Sequence, residues 1–117
     1  MQEGTYKIQK LPQALFISFY GKLSRFFPTE LMFEELEPWE QEGFNYWIVD
    51  LTGVTTMDSS GLSLLLQLLA RTRQNGGDLL LLKPDPKLEK LLLITKLQAI
   101  FNMKENLDEA ISELVIS

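Results

Sequence analysis

The apolar residues of this chain fall in short runs separated by polar and turn-forming residues, and the spacing within each run predicts its element. Thr5 to Lys10 reads as a short strand. Ala14 to Tyr20, with Leu15, Phe16, Ile17 and Phe19, reads as a second strand closed by Gly21. Pro28 or Thr29 opens a helix reaching toward Trp39, with Leu31, Met32, Phe33 and Leu36 on its buried side, and Pro38 is expected to distort or end it. Tyr46 to Leu51 is a third strand, and Asp58 to Gly61 leads into a helix that runs to about Gln74. In that helix Leu62, Leu65, Leu66 and Leu69 carry the core-facing spacing. Ser60, Ser63, Gln67, Arg71 and Gln74 recur every three or four residues as a polar stripe.

Gly76 and Gly77 stop the helix, and Asp78 to Lys83 forms a compact strand before the turn at Pro84, Asp85 and Pro86. Lys87 to Leu93 predicts a short helix that covers the core, although its amphipathic pattern also suits a partner-binding helix. Ala99 to Phe101 predicts a short strand, and Leu107 to Leu114 a terminal helix capped by Asn106. Strand and helix alternate, so the expected architecture is α/β: residues 1–117 as one domain, with a mixed central sheet flanked by helices. Parallel connections are expected to cross over right-handedly, and the first strand pair is open to an antiparallel arrangement. No tandem repeat and no Pro/Ser/Gly-rich linker divides the chain.

Composition narrows the chemistry. The chain has 117 residues, a formal net charge of -5, no histidine and no cysteine. Disulfides, thiolate nucleophiles, zinc sites and histidine acid–base catalysis therefore have no residues to work with, and carboxylates, lysines and hydroxyls are left. The acidic balance, with no strong Lys/Arg cluster, argues against direct nucleic-acid binding. No signal-peptide pattern and no apolar run long enough to span a bilayer is visible, so no intrinsic membrane anchor and a cytoplasmic location are expected. A binding module fits this composition better than an enzyme.

Asp58-Ser59-Ser60-Gly61 is the sharpest local signal. It sets a carboxylate and two hydroxyls where a buried strand gives way to a helix. Asp and Ser at such a boundary cap exposed helix N–H groups, and Gly61 permits a tight approach. The same hydroxyls are also candidate phosphate acceptors, because one phosphate would rewrite the surface there.

From Val49-Asp50-Leu51-Thr52-Gly53-Val54 through Met57-Asp58-Ser59-Ser60-Gly61-Leu62 the sequence resembles the STAS family, particularly bacterial anti-sigma factor antagonists. Gly76-Gly77 to Leu82, Pro84-Asp85-Pro86 and Leu92-Leu93-Ile94-Thr95 extend the resemblance over nearly the whole chain. The resemblance implies a binding partner rather than an enzyme. It implies an anti-sigma factor that is also a serine kinase, phosphorylation of Ser60, loss of binding on phosphorylation, and a phosphatase that restores it. ATP belongs to that kinase, so neither a cofactor nor a metal is expected in this chain. Asp58, Ser59, Ser60 and Gly61, with Ser63, Gln67 and Arg71 on the stripe, are the expected partner-binding residues.

Two positions depart from the family pattern. Gly21-Lys22-Leu23-Ser24 lacks the acidic residue usual in fourth place and is followed by Arg25-Phe26-Phe27-Pro28, where the Phe pair is expected to fill the core, the alternative being that it alters partner choice. Lys96 stands where glycine is common, which is expected to reshape the following turn. Two further readings compete with the switch. One is a constitutive STAS adaptor in a signalling complex or lipid-transport system. The other is a small hydroxyl/carboxylate enzyme that would combine Asp50, Asp58 and Ser59 or Ser60.

Overall fold

In the computed structural model, residues 4–82 and 86–116 are described. Five strands make one sheet in the order β1-β2-β3-β4-β5, with β1 Thr5–Lys10, β2 Leu15–Leu23, β3 Tyr46–Met57, β4 Asp78–Leu82 and β5 Asn102–Lys104. The first pair is antiparallel and the other three are parallel, so the sheet is mixed. Helices α1 Thr29–Gln41, α2 Ser59–Gln74 and α3 Pro86–Ile94 link successive parallel strands, and α4 Leu107–Ile116 closes the described chain.

Because each crossover advances one strand in the same direction, the three linking helices gather on one face. Leu15, Ile17, Phe19, Val49, Leu51, Leu79 and Leu81 point to that face and pack with Met32, Leu36, Leu65, Leu68 and Leu92. The alternate residues Phe16, Ile48, Leu80 and Leu82 point the other way, where α4 supplies Leu107, Ala110, Ile111 and Leu114. Strand periodicity thus sorts one sheet into two cores.

Several elements differ from the sequence expectation. β2 does not end at Gly21, and β3 does not end at Leu51. Both continue together, pairing through Tyr20 opposite Gly53 and Leu23 opposite Met57, with register irregularities on the way. Pro38 lies inside α1 without ending it. Its ring removes one donor, but Glu34 and Pro38 are both exposed, so water can satisfy the freed Glu34 carbonyl and the helix runs on. Leu31 is exposed rather than buried, while in α2 Leu64 and Leu68 enter the core and Leu62 and Leu66 are only half-buried.

The expected strand Ala99–Phe101 is replaced by a 3₁₀ turn at Leu97–Ile100, and the edge strand follows it at Asn102–Lys104. Lys96 begins that turn in the left-handed region at φ 61°, so the lysine keeps a backbone shape that glycine adopts freely. The expected strand end at Lys83 and the turn at Pro84 and Asp85 lie outside the described residues. No helix among the described residues is long and apolar enough to cross a membrane.

Candidate functional site

The carboxyl end of β3 delivers Asp58 to the amino terminus of α2. Asp58 is the N-cap: its backbone is extended at φ −109°, and its Oδ1 accepts from the N–H of Ser60 at 2.8 Å and of Gly61 at 3.3 Å. Its carbonyl accepts the first helical bond from Leu62 at 3.1 Å. Two of the first-turn donors that a helix end leaves unpaired are thereby satisfied within the motif. Asp58 is fixed from behind as well, since its N–H donates to the Leu23 carbonyl at 3.2 Å, which ties the motif to the end of β2.

Gly61 makes that seam close. A Cβ at this position would lie 2.6 Å from the Leu23 carbonyl oxygen, 2.6 Å from Met57 Cγ and 2.8 Å from Leu23 Cβ. Gly61 is therefore buried, while Asp58 and Ser59 are exposed and Ser60 is half-buried. The strand-to-helix junction presents two hydroxyls and a carboxylate on a closely packed shelf, with the glycine beneath them.

The loop from β2 to α1 belongs to the same end of the molecule. Ser24 Oγ accepts from the Phe26 N–H at 3.2 Å, and the Ser24 carbonyl accepts from the Phe27 N–H at 3.0 Å. The two phenylalanines then part. Phe27 is 5% exposed and packs against Phe19 and Tyr6 with ring centroids 5.5 and 5.9 Å away, whereas Phe26 is 63% exposed with the Arg25 guanidinium 4.8 Å from its ring centre. The expectation that both rings fill the core is corrected for Phe26: the turn closed on Ser24 turns Phe27 inward and leaves Phe26 in solvent.

Beyond Ser60, the polar stripe along α2 divides in two. Ser63 and Gln67 are exposed and linked to each other, Gln67 Nε2 donating to Ser63 Oγ at 3.4 Å. Arg71 reaches across to α1. Its guanidinium pairs with the Glu40 carboxylate and lies 4.7 Å from the centre of the Phe33 ring. Asn75 donates to the same carboxylate at 3.0 Å, so Glu40 clamps the carboxyl half of α2 to α1. Nothing local announces Glu40 or Phe33 as partners of Arg71, because the pairing spans 31 residues.

Asp50 is not part of this assembly. Val49 and Leu51 face α1 and α2, so Asp50 between them projects to the opposite side of the sheet, where its Oδ1 accepts from the Thr52 N–H at 2.9 Å and from the Thr52 hydroxyl at 2.5 Å. Asp50 and the Asp58 motif stay apart, and the grouping that the enzyme reading needs is not formed. Among the described residues no cluster of three or more acidic side chains has a metal-holding arrangement.

The STAS domain model matches residues 6–110. The chain belongs to the STAS domain family. A Thermotoga maritima protein that carries the name of an anti-sigma factor antagonist is 29% identical over 73 residues, covering 62% of this chain and 65% of that protein. The chain thus spans just under two-thirds of the length of the curated relatives it matches. The crystal structure of a T. maritima anti-sigma factor antagonist superposes with a TM-score of 0.81 at 21% identity, covering 93% of each chain. The phosphorylated form of the Bacillus cell fate determinant SpoIIAA superposes at 0.69 and 21% identity, over 93% of this chain and 98% of that one. These likenesses establish the STAS fold, including its mixed sheet and its helix-covered face.

Proposed function

We propose that this STAS protein is a phosphorylation-controlled anti-sigma factor antagonist. Its partner is an anti-sigma factor with serine-kinase activity, binding releases the sigma factor, and Ser60 is the phosphate acceptor. A phosphatase acting on phosphorylated Ser60 resets the cycle. The observation that carries this reading is the Asp58-capped shelf, which sets Ser59 and Ser60 side by side in the first turn of α2.

The electrostatics of the shelf support a switch rather than a passive anion site. A helix amino terminus ordinarily welcomes phosphate through its free N–H groups. Here Asp58 already occupies the Ser60 and Gly61 donors, so a phosphate on Ser60 meets a carboxylate bonded to its own backbone nitrogen. The phosphate adds about one and a half to two negative charges and must project outward, into the surface a partner would bury. Burial of that charge against a partner requires it to shed water, which opposes binding. Ser63 and Gln67 continue the proposed docking surface down α2. Arg71 supports it indirectly by holding α2 against α1.

Mass analysis of the protein recovered from its own cells, during growth and stress and with phosphatases inhibited, tests the reading. Phosphate is expected on Ser60, absent from a Ser60→Ala variant and unaffected by Ser59→Ala. Phosphate that persists at the same level in Ser60→Ala would refute the acceptor assignment. A fully covered, unmodified Ser60 in every condition would favour the constitutive adaptor.

A further inference from the structure

We propose that the cleft between α1 and α2 is a second docking site, and that it receives a cationic amphipathic helix from a protein partner. The site goes beyond the Ser60 shelf and shares with its docking surface only Gln67. It occupies the length of the two helices, and its recognition chemistry does not depend on phosphate.

The cleft has a volume of about 540 Å3 and opens along the helix pair from Thr29 to Gln74. Its α1 wall carries Glu30, Glu34 and Glu37, all exposed, at the i, i+4, i+7 spacing that places them in one row. None of the three pairs with a cation among the described residues. The α2 wall is neutral, made of Gln67, Ala70 and Gln74, and Phe33 supplies an aromatic surface between the walls. Arg71 also borders the cleft, but its charge is committed to Glu40 and to the Phe33 ring. The cleft therefore keeps a net negative rim.

That combination selects the occupant. From Thr29 to Gln41, α1 contains no Lys or Arg, so its row of carboxylates repels itself until a cation arrives. A helix with Lys or Arg at the same three- and four-residue spacing, laid alongside α1, would set its cations against the row and its apolar flank on Phe33. This is the helix-in-groove mode of recognition with charge setting the register. The same rim repels nucleic acid and anionic lipid.

The test uses the full chain and a labelled 18-residue peptide that forms an amphipathic helix with lysines at i, i+4 and i+7 and leucines beside them. A matched peptide with glutamates in place of lysines serves as control. Fluorescence anisotropy is expected to show binding of the lysine peptide alone, weakened as salt rises from about 50 mM to about 500 mM. The triple variant Glu30→Gln, Glu34→Gln, Glu37→Gln is expected to lose affinity about tenfold, the sum of three modest rim charges. A variant of equal charge change elsewhere, Glu42→Gln, Asp108→Asn, Glu109→Gln, is expected to bind like the wild type. Amide shifts on titration are expected along α1 and α2. Equal losses in both triple variants, equal binding of the two peptides, or shifts located elsewhere would each overturn the proposal. None of these outcomes bears on whether Ser60 is phosphorylated.

Discussion

Replacing Gly61 by alanine tests how the Ser60 shelf is held. In an exposed helix interior this change is favourable by about 1 kcal/mol, because alanine restricts the unfolded chain and favours the helix. At Gly61 the added Cβ instead meets the Leu23 carbonyl oxygen and Met57 Cγ, both at 2.6 Å. Overpacking of this kind costs about 1–3 kcal/mol. Met57 can rotate away, but the Leu23 carbonyl is backbone at the end of β2, and it already accepts the Asp58 N–H. The clash is relieved only if the amino end of α2 lifts off the sheet, which weakens that bond too. Loss of that bond costs about 1 kcal/mol and offsets the helix gain, so we expect a net loss of about 1–3 kcal/mol. With an unfolding entropy of about 2.1 cal/mol/K per residue, a chain of this size loses about 4 °C of Tm per kcal/mol, giving a drop of about 4–12 °C. Urea unfolding followed by circular dichroism should show a lower midpoint with an unchanged slope. Adding Met57→Ala should recover none of the part due to the Leu23 carbonyl. A Gly61→Ala protein as stable as the wild type would refute the argument that the seam between β2 and α2 fixes the shelf.

The remaining predictions concern single contacts. Asp58→Ala removes the acceptor for two helix donors and should lower stability by about 1 kcal/mol, whereas Asp58→Asn should retain most of it, both read from urea midpoints. Lys96→Gly relieves a left-handed lysine and should raise stability by about 0.5–1 kcal/mol in the same assay, after the greater unfolded-state freedom of glycine is deducted. Partial burial first, and the neighbouring Glu35 second, push the Tyr6 phenol up to about 12. Tyr6 therefore holds its proton more tightly when folded, so its contribution is complete below about pH 10 and lost as pH rises toward about 12. Tyr6→Phe should flatten the alkaline stability loss in that window, and the phenolate absorbance difference between the two proteins should have its midpoint near the upper end. At the acid end, hydrogen bonds from Lys104 and Asn102 hold the Glu113 carboxyl below its ordinary value. Its contribution is present above the unfolded carboxylate range and fades as pH falls through the lower folded value, so Glu113→Gln should reduce the slope of stability against pH in that region.

The sequence was most informative where a segment's own side chains determine its environment. Tyr46 to Leu51 and Leu79 to Leu82 are apolar runs, and the Asp58 cap carries its chemistry locally; each was legible. The second half of β3 was not, because Thr52, Thr55 and Thr56 bear no apolar alternation and are held as strand by the extended β2 beside them. β5 was displaced for a similar reason. Asn102-Met103-Lys104 has weak strand character, and backbone pairing with Leu80, Leu81 and Leu82 makes it an edge strand, while the more apolar Leu97–Ile100 coils under Lys96. In α2, helical spacing gave the correct element but rotated its buried face, since leucines occupy nearly every position from Leu62 to Leu69 and only the sheet decides which are inward. At the candidate site, the motif was readable and its surroundings were not. The Arg71–Glu40 clamp joins distant segments, and the parting of Phe26 from Phe27 depends on the Ser24 turn.

The sheet places its strands side by side in the order in which a ribosome makes them. Every strand after the first finds its neighbour already synthesised, and each intervening helix need only close a local loop before docking. No strand must wait for a distant partner or be threaded between two others. Assembly can therefore proceed vectorially, with the β2–β3 pair and α1 in place before the Ser60 shelf emerges. The shelf is then built on finished scaffolding, a favourable order for a surface whose use depends on the placement of one hydroxyl.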